Sequence, residues 1–134
     1  MKILIDTNVL ISAIVFRGRP REFLVKLRTD GHSLFVSAYI EAELRRIFER
    51  KWPGRAEKLF HEYLSLGLKR LSSTPETYGA LRDSNDVPIL SDAIFYDMDI
   101  ILTGDRDFLE AGLTRPKAMS VSTLSAYLEK TRRE

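Results

Sequence analysis

Five acidic side chains stand where the chain changes character. Asp6 follows the apolar run Ile3-Leu4-Ile5, while Asp105 and Asp107 follow Ile100-Ile101-Leu102 by way of Thr103 and Gly104. Glu43 lies beyond the run Leu34-Phe35-Val36, and Asp86 stands two residues before Pro88. Taken singly, each has a structural reading: Asp6 and Asp86 as helix N-caps, Glu43 as a solvated helix residue, Asp105 and Asp107 as turn residues. Taken together they suggest chemistry, because carboxylates drawn to one place repel unless a cation or a proton compensates them. A set of oxygen ligands without His or Cys suits a hard ion, Mg²⁺ or Mn²⁺.

The elements that must position these acids are read from the periodicity. Ile3 to Ile5, Leu34 to Val36, Ile100 to Leu102 and Met119 to Val121 are short and apolar, as buried parallel strands are, and Leu68 to Leu71 is a further short strand. Between them run helical patterns. Val9 to Phe16, Glu22 to Arg28, Arg55 to Leu66, Pro88 to Tyr96 and Thr123 to Lys130 have the period, and Ala38 to Lys51 places Ile40, Leu44, Ile47 and Phe48 on one stripe. Arg17-Gly18-Arg19-Pro20 and Trp52-Pro53-Gly54 read as turns. Strands alternating with helices imply a parallel sheet covered on both faces. In such a sheet the groups just past the carboxyl ends of the strands line the ligand crevice, so Asp6, Asp105 and Asp107 are expected on one edge.

Composition narrows the classes. The 134 residues, 44% of them hydrophobic, suffice for one domain with its own core. There is no cysteine, which excludes disulfides, thiolate metal sites and a cysteine nucleophile. No apolar run approaches the roughly 18 residues of a membrane span and no targeting segment is visible, so a cytoplasmic protein is expected. The net charge of +2 hides an uneven distribution: Asp83 to Asp107 is acidic, with Arg106 its one base, whereas Arg45 to Lys58 is basic. The basic run is either a solvated helix face or a phosphate-binding flank. Arg17, Arg19, Arg45, Arg46 and Arg50 adjoin acid-bearing elements and are the candidate phosphate contacts. His32 and His61 are assigned no role.

The stretches "ILIDTNVLISA", "EAELRRIFER", "RDSNDVPILSDAI" and "IILTGDRDFL", in this order over essentially the whole chain, resemble the PIN domain, and within it the prokaryotic VapC-like toxins of toxin-antitoxin pairs. The resemblance implies a three-layer α/β/α fold with a central parallel sheet of about five strands, formed by a single domain over residues 1–134. It implies a metal-dependent ribonuclease in which Asp6, Glu43, Asp86 and Asp105 are catalytic and hold Mg²⁺ or Mn²⁺, with Asp107 as a further ligand. Asn8 and Thr103 match the small polar residues that hold the first and last acids by hydrogen bonds. A cognate antitoxin, a homodimer and an RNA substrate are likewise implied, the five arginines being the candidate RNA contacts. Asp92 is an additional acid on the helix of Asp86, expected at its surface, with an accessory water holder as the alternative reading. A haloacid-dehalogenase-like phosphatase is disfavoured, since the acid it needs two residues after the first is here Asn8. A PIN-fold binding module without turnover is the remaining alternative.

Overall fold

A computed structural model describes residues 1–74 and 86–133, excluding the side chain of Arg133; Asp83 and the "RDSN" start of the third stretch lie outside the described residues. Five strands form one sheet: β1 (Lys2–Ile5), β2 (Ser33–Ser37), β3 (Lys69–Leu71), β4 (Ile100–Leu102) and β5 (Lys117–Met119). The order is β3-β2-β1-β4-β5, and every pair is parallel. The buried runs form the strands because both faces of the sheet are covered, which removes the polar alternation of a half-exposed strand. Ile3, Leu4, Ile5, Ile101 and Leu102 have no exposed surface.

The chain moves outward from β1 to β2 to β3, then returns past β1 to build β4 and β5. Right-handed crossovers therefore place the helices of the first half on one face and those of the second half on the other. The first half carries α1 (Thr7–Ile11), a π-helical turn (Ser12–Phe16), α2 (Gly18–Thr29), α3 (Ala38–Lys51) and α4 (Ala56–Ser65). The second carries α5 (Val87–Phe95) and α6 (Arg106–Leu109), whereas α7 (Val121–Arg133), which follows the last strand and belongs to no crossover, packs against α2. The outcome is the three-layer α/β/α arrangement. Among the described residues, no helix is long and apolar enough to cross a membrane.

Several boundaries differ from the periodic reading, each for a local reason. The last strand ends at Met119, the partner of Leu102, and not at Val121. Ser120 then accepts the Thr123 N–H at 3.1 Å, so Val121 opens a helix despite its strand-like side chain. The turn at Arg17 to Pro20 shrinks to Arg17 and Gly18, at φ 57° and 59°, because Pro20 is compatible with the first turn of α2. The helix expected from Val9 begins at Thr7 and widens into the π-helical turn at Ser12. The short α6 has no counterpart in the periodic pattern; Asp105 caps it by accepting the Asp107 N–H at 2.9 Å.

Helix α3 keeps the expected bounds and carries Glu43 on its second turn. Ile40, Leu44 and Phe48 are its buried stripe, with Ile47 partly covered. At its start the buried Ser37 hydroxyl accepts the Ile40 N–H at 3.1 Å. Ser37→Ala removes that cap, and is expected to lower unfolding free energy by about 0.5–2 kcal/mol in urea denaturation. No measurable change would mean that the first turn of α3 is held by packing alone.

Candidate metal centre

The register of the sheet brings the ends of β1 and β4 together. Ile5 faces Leu102, and one residue further the Asp6 N–H donates to the Leu102 carbonyl at 2.9 Å. On the other side of β4, the Thr103 N–H donates to the Met119 carbonyl at 3.0 Å. Asp6 and Thr103 thus leave adjacent central strands side by side, where the direction of winding reverses. This is the place at which an open parallel sheet offers a crevice.

A continuous run of hydrogen bonds then fixes the acids. The Thr103 hydroxyl donates to Asp6 Oδ2 at 2.7 Å, and the hydroxyl oxygen itself accepts the Asp105 N–H at 3.0 Å. Asp6 Oδ1 accepts the Thr7 N–H at 2.7 Å, so Asp6 does cap α1, as its structural reading required. The Thr7 hydroxyl donates to the Glu43 carboxylate. Glu43, Thr7, Asp6, Thr103 and Asp105 are therefore linked in sequence across β1, α3 and β4. Capping and site formation are compatible because a carboxylate has several lone pairs.

Asp86 enters from the start of α5. It occupies the N-cap position but makes no side-chain cap hydrogen bond, and it is only 8% exposed. Asp86, Asp105 and Asp107 each bring a carboxylate oxygen within 4.8 Å of the other two. The adjacent Arg106 turns away to Glu110 at 2.9 Å. Three convergent oxygen donors without nitrogen or sulfur fit a hard divalent ion. Asp105 joins the two halves of the site, since its charge also acts on Asp6.

Electrostatics at Asp6 follow from this crowding. Burial pushes its carboxyl above the ordinary aspartate value, and Glu43 and Asp105 push in the same direction. The hydrogen bonds from Thr103 and Thr7 oppose the shift.

Other sequence-derived candidates fall elsewhere. Asn8 is exposed on α1, and the hydroxyl that reaches an acid there is that of Thr7, which the spacing of the acids does not single out. A threonine directly after an acid at a strand end was the available signal. Asp92 is not a surface residue: it is 2% exposed and its carboxylate accepts the Thr74 N–H at 2.8 Å. Its neighbours Leu90 and Ala93 are also buried, so the apolar setting of this acid was the clue. Of the arginines, Arg19, Arg46 and Arg50 are exposed; Arg17 pairs with Glu62 at 3.2 Å and Arg45 lies 3.8 Å from the Phe60 ring centre. His32 Nδ1 lies 3.0 Å from the Met1 amine, and His61 is exposed on α4.

A family model for the PIN domain matches residues 2–107. The chain belongs to the PIN domain family. No curated protein sequence matches it. Among solved structures, this PIN domain is similar to VapBC2 from Rickettsia felis bound to a DNA fragment from their promoter, at 19% identity and a TM-score of 0.72, covering 90% of this chain and 98% of that one. It is also similar to Mycobacterium tuberculosis VapC20, a sarcin-ricin loop cleaving toxin, at 15% identity and a TM-score of 0.59, covering 85% and 99%. These likenesses establish a common fold.

The Asp6 environment sets a pH dependence for the metal-free PIN domain. Because its folded pKa is raised, its stabilising contribution is fully present below the unfolded value and is lost as pH rises through the folded value. The melting temperature in EDTA is expected to rise on acidification from about pH 7 towards about pH 5, with Asp92 adding in the same direction. Asp6→Asn should raise the neutral-pH melting temperature and flatten the profile. A lower melting temperature with the wild-type slope would make Asp6 a cap and nothing more.

Proposed function

We propose that this protein is a metal-dependent endoribonuclease that hydrolyses RNA phosphodiester bonds, acting with Mg²⁺ or Mn²⁺ as the cytoplasmic toxin of a toxin-antitoxin pair. The observation that carries the reading is the convergence of Asp86, Asp105 and Asp107 within 4.8 Å, beside Asp6 and Glu43 on the same sheet edge. Asp86, Asp105 and Asp107 are suited to hold the ion. Asp6 and Glu43 lie next to them, oriented by Thr103 and Thr7. When bound, the divalent ion supplies an activated water and stabilises charge on the phosphate. The chain lacks cysteine and its histidines lie outside the hydrogen-bonded acid run, so water is the assigned nucleophile.

The relatives support the biological setting. VapC20 is a sarcin-ricin loop cleaving toxin, which favours RNA as the substrate class. The VapBC2 structure, bound to a promoter DNA fragment, favours a cognate antitoxin for this chain as well. Residues 1–134 act in this reading as one PIN domain that forms a homodimer. The C-terminal α7, beyond the family match, packs on α2 and β5 and so shares the core.

Labelled single-stranded RNA should be cut in the presence of Mn²⁺ and left intact in EDTA. Asp105→Asn is expected to reduce cleavage by about a hundredfold or more, since even partners outside the ligand shell typically cost about 10–100-fold. Full activity in that variant would overturn the site assignment.

The exposed Arg19, Arg46 and Arg50, with Arg17 and Arg45, form the proposed RNA flank. In a cleavage-dead background, replacing Arg19, Arg46 and Arg50 by Ala should weaken RNA binding and reduce its salt dependence, because each phosphate contact on a single strand contributes about 0.7 to the logarithmic slope. An unchanged slope would leave these arginines as a solvated face.

A further inference from the structure

We propose that Asp92 is a positioning residue for the acid site: it acts as a hydrogen-bond acceptor that locks helix α5, and with it Asp86, against the chain leaving β3. The inference deepens the metal-dependent reading above and rests on it.

The five acids are not held alike. Asp6 is fixed by the Thr7 amide and the Thr103 hydroxyl, Glu43 by the Thr7 hydroxyl, and Asp105 by its hydrogen bonds with the Thr103 hydroxyl and the Asp107 amide. These anchors belong to the ends of β1 and β4 and to the turns that follow them. Asp86 is placed by a different element. Its carboxylate does not cap α5, and Pro88 in the first turn has no N–H to offer. Yet Asp86 must stay close to two other carboxylates whose charge repels it. Because Asp86 stands at the start of α5, its backbone position follows from how firmly that helix is seated.

The inner side of α5 is seated by Ile89, Leu90 and Ala93 in the core. A second attachment is polar. Asp92, 2% exposed, accepts the Thr74 N–H at 2.8 Å. Thr74 lies three residues beyond the end of β3, and residues 75–85 connect it to Asp86. This bond thus ties the chain on leaving the sheet to the helix that it enters. Such a tie across a chain segment restricts the arrangements open to the segment's ends. Burial pushes the Asp92 carboxyl above the ordinary aspartate value, with the Thr74 amide opposing the shift, which agrees with a group used for its acceptor oxygen more than for its charge.

This assignment separates Asp92 from the ligands by chemistry. An amide retains the acceptor oxygen and the shape of Asp92, whereas alanine removes both. Mn²⁺ binding measured by calorimetry without RNA is the primary readout, with Thr74 amide exchange by NMR beside it. Asp92→Asn is expected to bind Mn²⁺ within about twofold of wild type and to keep the Thr74 amide protected. Asp92→Ala is expected to lose that protection and to bind Mn²⁺ at least tenfold more weakly, consistent with the usual cost of removing an outer-shell partner. Weakened Mn²⁺ binding in Asp92→Asn would overturn the proposal, since it would mean that the charge is needed. Wild-type binding in Asp92→Ala would overturn it as well. Should the alanine variant not fold, the asparagine variant alone decides between acceptor and charge. Mn²⁺ binding that follows this pattern in a protein that cuts no RNA would uphold the positioning role and remove only the nuclease reading.

Discussion

Like charges held close together at the end of a buried sheet are the constraint around which this molecule is organised. Carboxylates within reach of one another raise the free energy of the folded chain, and nothing in a carboxylate prevents it from turning outward to water. The protein prevents this with donors that cannot move. The amides of Thr7, Asp105 and Asp107 are fixed by the backbone, and the Thr103 hydroxyl is buried between Asp6 and Asp105. Thr103 has two functions through one oxygen, as a donor to the first acid and as an acceptor from the main chain of another. The placing of Asp6 and Asp105 is therefore inherited from the ends of β1 and β4.

The fold supplies those ends. Five parallel strands with β1 and β4 as neighbours put the reversal of winding in the middle of the sheet, the place at which open parallel sheets bind ligands. The hydrophobic core performs the complementary task. Ile5 and Leu102, fully buried and paired across the two strands, hold the platform from which Asp6 and Thr103 project. Capping is also put to use. Asp6 and Asp105 terminate helices with one oxygen, which fixes their rotamers while the remaining lone pairs stay available.

The structural likenesses show how little of this depends on overall sequence. At 19% and 15% identity the relatives share the architecture across nearly their entire length. Apolar strands and periodic helices can be built from many sequences of suitable pattern and volume, so the fold tolerates extensive replacement. Positioned charge is less tolerant. Where a carboxylate must sit within a few ångströms of two others, side-chain length and backbone direction both matter.

The architecture was legible because its signals are local. Ile3 to Ile5, Leu34 to Val36 and Ile100 to Leu102 are short apolar runs of the kind a doubly covered strand has, and α3 was bounded by its apolar stripe. Asp6, Asp86 and Asp105 were legible by position, each lying just after a strand or at a helix start, whereas Glu43 sits on the second turn of α3. Less local features escaped. Val121 looks like a strand residue, but the Ser120 cap decides for helix. Asp92 looks like a surface acid on a short helix, but its hydrogen bond is to Thr74, a residue distant in sequence. Thr7 has no distinguishing spacing until α3 brings Glu43 to its hydroxyl. By itself the sequence determined which groups carry charge and which segments are strands or helices, because both are properties of neighbouring residues. Only the tertiary structure decided which oxygens converge, which acids are buried and which hydroxyls hold them, because those depend on contacts between segments that chain order leaves apart.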